Sequence, residues 1–139
     1  MSVHHQQLEI STRGDGEMHD LTEKVSALVA AAEIADGMAL VFVPGSTAGV
    51  TTIEYEPGLL EDFPAAMDRI APRDIAYAHD RRWHDGNGHS HVRASLLGPS
   101  LAVPIVAGAL ALGTWQQIVL VDFDNRQRRR RVMVTIMGE

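Results

Sequence analysis

Four of the chain's seven histidines fall within thirteen residues, His79-Asp80-Arg81-Arg82-Trp83-His84-Asp85-Gly86-Asn87-Gly88-His89-Ser90-His91. Neutral imidazole is the commonest metal ligand, and its ordinary pKa keeps that form available near neutrality. His79, His89 and His91 form a His…His-x-His set that can close on one divalent ion. Asp85 would then be a carboxylate ligand, or the group that orients a ligating ring. The donor types fit zinc, with magnesium as the alternative, although the spacing is not that of a closed four-ligand site. The competing reading is a polar loop that carries its histidines to solvent, as His4 and His5 show that the chain uses them elsewhere. For His84 alone the surface reading is preferred.

The elements that must hold these rings follow from the flanking pattern. Val92, Leu96 and Leu97 recur at helical spacing and Gly98-Pro99 stops them, so a short helix is expected from about Ser90 to Leu97. His91 would lie in its first turn, where the helix dipole disfavours the imidazolium, and His89 just outside it. Upstream, Val3 to Thr12 reads as a strand ending at Gly14-Asp15-Gly16. Asp20 and Glu23 resemble a capping box before a helix along Leu21, Val25, Leu28, Val29 and Ala32. Met38 to Val43 is an apolar run expected to be buried on both faces.

The loop Gly45-Ser46-Thr47-Ala48-Gly49 places two hydroxyls where they can hydrogen-bond an anionic oxygen, or simply serve a turn. Val50 to Glu56 is read as the next strand, with Glu54 on the face of Thr52. A helix through Leu59, Leu60, Phe63, Met67 and Ile70 is expected to begin near Asp62, because proline is tolerated only in a first turn and Pro64 must sit there. Strands Ser100 to Ala107, Ile118 to Phe123 and Val132 to Met137 complete the chain, the last two joined at Asp124-Asn125. That hairpin carries Arg126, Arg128, Arg129, Arg130 and Arg131. Such a run reads as a solvated strand end or as a partner for acidic neighbours in an oligomer, with binding of a phosphorylated ligand as the sharper alternative.

With 139 residues, 45% of them apolar, and a formal charge of -6, the chain is read as one domain spanning 1–139. It has no global attraction for nucleic acid or for an anionic membrane. The absence of cysteine removes disulfide and thiolate chemistry. No signal pattern and no apolar run of spanning length is present, so a soluble cytoplasmic protein is expected.

Together these motifs resemble the YjbQ family, whose members are often described as secondary thiamine-phosphate synthases. The resemblance rests on Pro44-Gly45-Ser46-Thr47-Ala48 with Glu54, Asp85-Gly86-Asn87-Gly88-His89-Ser90-His91, Ser95-Leu96-Leu97-Gly98-Pro99-Ser100, Gly113-Thr114-Trp115-Gln116 and the closing Gly138-Glu139. It implies an α+β fold, a two-sheet β-sandwich with flanking helices, assembling as a homotrimer with sites near subunit boundaries. His79 and His91 match the family's histidines, and His89 one found in many members. Ser46, Thr47, Thr114 and Gln116 match positions that line a pocket for an anion or phosphate. Many relatives carry histidine where this chain has Gly45, so proton transfer by that histidine has no counterpart here.

The activity so implied is transfer on a small phosphorylated heterocycle with loss of pyrophosphate. A divalent ion at His79, His89 and His91 would assist it, and the catalytic candidates are Glu54, Asp85 and Asn87. A metal-dependent hydrolase of small phosphate esters and a non-catalytic trimer that binds a metabolite are the alternatives.

Overall fold

The computed structural model describes all 139 residues, which form eight strands and four helices. One antiparallel sheet of five strands has the order β1 (Ser2–Thr12), β8 (Arg128–Gly138), β3 (Gly37–Phe42), β5 (Ser100–Val106), β6 (Ala109–Leu110). A second, of three strands, has the order β2 (Glu17–Asp20), β7 (Gln117–Asp122), β4 (Ala48–Ile53). The α+β class and the two sheets agree with expectation.

The period of two decides which side chains meet. On β8, Arg130, Val132, Val134 and Ile136 are buried while the residues between them face outward or are half-buried. Val132, Val134 and Ile136 pack with Ala39 and Val41 of β3, Val103 and Ile105 of β5, and Val50, Ile118 and Leu120 of the second sheet. Helix α1 (Thr22–Ala32) adds Val25 and Val29 to this core. Each such aliphatic side chain contributes roughly 1.5–3 kcal/mol when fully buried. β7 is buried on both faces: Ile118 and Leu120 enter that core, while Val119, Val121 and the following Phe123 join Met67 and Ala94 in a smaller one.

Several local expectations are corrected. β2 was not foreseen, and it occupies residues placed between a strand end and a helix cap. Leu21, fully buried, stands at the N-cap of α1, and Asp20 Oδ1 accepts from the Thr22 amide at 2.9 Å, so the capping box is not formed. β4 ends at Ile53, and Glu56 instead caps α2 (Pro57–Ile70), accepting from the Gly58 and Leu59 amides at 2.8 and 2.6 Å. The first-turn proline is therefore Pro57, and Pro64 lies inside the helix. β3 is buried on one face only, since Met38 on the other is exposed.

Candidate functional site

The histidine-rich stretch is two helices and a tight loop. α3 (Ala78–Trp83) carries His79 and Asp80, His84 ends it in the left-handed conformation, and α4 (Gly88–Leu97) begins two residues earlier than expected. Three contacts fix the loop. The Gly88 amide donates to Asp80 Oδ1 at 2.9 Å, the His84 amide to the Asp80 carbonyl at 2.8 Å, and Asn125 Nδ2 to the Asp85 carbonyl at 2.9 Å. Gly88 has no room for a side chain, because a Cβ there would lie 2.5 Å from Tyr77 Cβ.

His89 thus lies within α4 rather than outside it. Residues two apart on a helix point to nearly opposite sides, so His89 and His91 diverge. His89, 2% exposed, packs beside Tyr77 with ring centroids 6.4 Å apart. Burial, reinforced by Arg73 and Arg93, lowers its pKa. The ring of His91 lies against His79, centroids 4.3 Å apart. Burial and the neighbouring His79 lower the pKa of His91 as well.

The donor atoms that converge belong to His79, Asp80 and Asp85, all within 4.8 Å of one another. His79 Nε2 is 3.2 Å from Asp85 Oδ1. Asn87 closes the group with either end of its amide. Its oxygen can stand 3.0 Å from His79 Nε2, facing only acceptors, or its nitrogen can donate to His79 Nε2 (3.0 Å), Asp85 Oδ1 (2.9 Å) and Asp85 Oδ2 (3.2 Å). The nitrogen-inward form completes the hydrogen bonds by itself, whereas the oxygen-inward form gathers lone pairs that only a cation would reconcile. Imidazole, two carboxylates and an amide oxygen are a donor set that divalent ions accept. Asp80 was absent from the expected ligands, although it adjoins His79 in sequence.

Beside this cluster, His91 lines a cleft of about 190 Å³ with Gly45, Ser46, Ser95 and Pro99. Behind it sits a buried ion network that sequence reasoning missed. Arg130, 8% exposed, reaches from β8 across to the second sheet. Its Nε meets Asp122 Oδ2 at 2.7 Å, and its Nη2 meets Asp122 Oδ1 at 2.8 Å and Thr47 Oγ1 at 2.7 Å. Thr47 donates to Asp124 Oδ2 at 2.9 Å, Arg128 Nε to the same oxygen at 2.8 Å, and Thr12 to Asp122 Oδ2 at 2.5 Å. Burial alone would raise both carboxyls, but hydrogen bonds from Arg130 and Thr12 to Asp122, and from Arg128 and Thr47 to Asp124, outweigh it and hold both pKa values below the usual range. The arginine run is therefore not a uniformly solvated strand end.

Arg130 Nη1 makes no hydrogen bond within the protein and lies 3.0 Å from the place a Cβ on Gly45 would take. No buried side-chain nitrogen or oxygen lacks a partner, so this nitrogen is not fully buried, and Gly45 stands beside it. The remaining expected residues divide. Ser46 is at the cleft, whereas Thr47 is spent in the network. Gln116 lines a separate cleft of about 280 Å³ and donates to Thr52 Oγ1 at 3.2 Å. Thr114 is exposed in the turn before β7, its carbonyl accepting from Gln117 Nε2, and Glu54 is exposed past the end of β4, on neither cleft.

Residues 6–139 match the family model described as UPF0047 protein YjbQ-like. The chain belongs to the YjbQ (UPF0047) family. A UPF0047 protein of Archaeoglobus fulgidus is 41% identical over 128 residues, covering 92% of this chain and 97% of that one. The UPF0047 protein YugU of Bacillus subtilis is 35% identical, covering 94% and 97%. Among solved YjbQ-like structures, a YbjQ-like protein of unknown function from Sulfolobus solfataricus superposes with a TM-score of 0.94 at 33% identity over 99% of both chains. No helix of this YjbQ-family chain is long and apolar enough to cross a membrane.

Proposed function

We propose that this chain is a metal-assisted transferase acting on a small phosphorylated heterocycle with loss of pyrophosphate, as the family's description as secondary thiamine-phosphate synthases suggests. The observation that carries the proposal is the convergence of His79 Nε2 with the carboxylates of Asp80 and Asp85, beside the amide of Asn87. A divalent ion, zinc or magnesium, would supply charge neutralisation for the departing pyrophosphate. The protein's own groups do the rest. The Ser46 hydroxyl can hydrogen-bond a phosphate oxygen in the cleft while Arg130 Nη1, on the far side of Gly45, adds positive charge, and His91 at the cleft edge, its lowered pKa favouring the neutral ring, can accept a proton from an adjacent group. Asp85, the most exposed of the cluster, is the acid/base candidate, and Asn87, its amide oxygen turned inward, would add a donor to the ion.

Assembly as a homotrimer belongs to the same proposal. Met38, Val106 and Met133 are exposed on the outer side of the five-stranded sheet, where a monomer would leave an apolar patch.

A second reading, hydrolysis of small phosphate esters, is favoured by one feature: the cleft beside His91 is small and open, and water can reach it as the acceptor. Incubation with a pyrimidine-methyl diphosphate and a thiazole phosphate, with and without zinc or magnesium, separates the readings. Metal-dependent thiamine phosphate and pyrophosphate support transfer. Release of inorganic phosphate from a panel of esters supports hydrolysis, and no turnover in either assay refutes both, leaving a metabolite-binding module.

A further inference from the structure

The turn Asp124-Asn125, just past the end of β7, reaches the histidine cluster without contributing a ligand to it. Asp85, one of the converging carboxylates, sits between His84 and Gly86, both in the left-handed conformation at φ 58° and 67°. Such a turn aims its side chain only where its backbone is held from outside. α3 has no buried residue with which to hold it. Residues 84–87 otherwise bond only within α3, the loop and α4. The His84 amide donates to the Asp80 carbonyl, the Asn87 carbonyl accepts from Ser90 and His91, and the side chains of Asp85 and Asn87 meet His79. The one hydrogen bond that ties these residues to the rest of the chain runs from Asn125 Nδ2 to the Asp85 carbonyl, at 2.9 Å.

Asn125 is exposed, yet it is fixed from beneath. Its backbone amide donates to Asp124 Oδ1 at 2.8 Å, and the Asp124 amide donates to Asp122 Oδ1 at 3.0 Å. Both aspartates are fully buried, and Thr47 and Arg128 hold the second oxygen of Asp124. The turn is therefore anchored in the ion network between the sheets. A carbonyl can only accept, so the nitrogen end of the Asn125 amide is the end that faces Asp85. Gly86 lies against the same nitrogen, which a Cβ there would meet at 3.7 Å.

We infer that Asn125 is a positioning residue for the cluster. It registers the Asp85 backbone against the buried Asp122, Asp124 and Arg130, and so holds the Asp85 carboxylate within reach of His79 and Asp80. It bonds none of the converging donor atoms itself. Like other groups that support a ligand from behind, it removes in advance the freedom that the ligand would lose on binding. The effect on metal affinity rests on the metal reading of the cluster, whereas the effect on the loop does not.

Backbone nitrogen-15 relaxation and calorimetric zinc titration of the full-length protein and of Asn125→Ala test the inference. Order parameters at Asp85 and Gly86 should fall from about 0.85 to below about 0.6 in the variant. Zinc should bind at least fivefold more weakly while the urea midpoint is unchanged, because an exposed side chain outside the strands is replaced. Asn125→Asp, equal in size but without a donor, should loosen the loop as alanine does, which separates the hydrogen bond from the space the side chain fills. Unchanged order at Asp85 and Gly86, or unaltered zinc affinity in Asn125→Ala when the wild type binds zinc, would overturn the inference. A wild type that takes up no zinc, with Asp85 still loosened in the variant, would sink the metal reading and support the tether.

Discussion

The rings of His79 and His91 lie 4.3 Å apart, centroid to centroid, although they come from different helices and the nearer histidine in sequence, His89, turns away. The loop between α3 and α4 creates this pairing. It separates the imidazoles into one that joins Asp80 and Asp85, one that lines the cleft and one that packs in the interior.

His79→Ala should therefore weaken zinc at least about 100-fold, more than is usual for losing a supporting contact to a ligand. His89→Ala should leave zinc affinity within about threefold and instead lower stability by about 1–3 kcal/mol, as its buried position requires. Calorimetric zinc titrations beside urea unfolding of both variants check the pair.

Gly88 is a geometric requirement of the same loop. Gly88→Ala must push Tyr77 aside from a 2.5 Å approach, at a cost of about 1–3 kcal/mol. The displacement also moves Asp80, which holds the Gly88 amide, so metal affinity should fall together with stability. An alanine variant with unchanged melting and unchanged affinity would contradict the packing described.

Breaking the ion pair between the sheets should be costly. Asp122→Asn leaves Arg130 buried without its bidentate partner, and about 3–5 kcal/mol of stability is expected to be lost. Thr47→Val removes one bond from Asp124 and one from Arg130, for about 1–3 kcal/mol. Denaturant midpoints measure both.

The same carboxylates set an acid limit. Their folded pKa values lie below the unfolded ones, so the unfolded chain binds more protons between the two values and stability rises with pH there. The contribution is complete above an ordinary aspartate pKa of about 3.9 and is lost as pH falls below that toward the folded values. Unfolding midpoints should be level from about pH 7 to pH 5 and drop steeply below about pH 4. The difference between the wild type and Asp122→Asn should shrink over the same interval.

Gly45 separates the cleft from Arg130. With φ at 128°, a side chain there is strained, and its Cβ would crowd Arg130 Nη1 at 3.0 Å. Gly45→Ala should weaken inorganic phosphate at least threefold while zinc binding is retained. Phosphorus NMR line widths report the first and calorimetry the second.

Much of this was legible in the residues. The alternation along β8, the apolar run of β7 and the stop at Gly98-Pro99 located the core strands and α4. The histidine cluster was visible as a cluster, but the members that converge depend on α3, six residues long and without a buried residue to give it a periodicity. Arg130 had a readable signal: it stands an even number of places from Val132, Val134 and Ile136, and so shares their buried face. Its charge pointed outward by habit, and the expected hairpin of the last two strands is not formed: β7, which ends at Asp122, and β8 lie in different sheets, so Arg130 faces Asp122 and Asp124 across the layers rather than along a ladder. Thr114 and Gln116 looked continuous with Ser46 because motifs carry no distances.

The position of a divalent ion tests the central proposal most directly. Crystals equilibrated with zinc, or with manganese in place of magnesium, and measured at the corresponding absorption edge should show one anomalous peak per chain bounded by His79 Nε2, Asp80, Asp85 and Asn87 Oδ1. No peak at saturating metal, with the Asn87 nitrogen hydrogen-bonded to His79 and Asp85 instead, would contradict it.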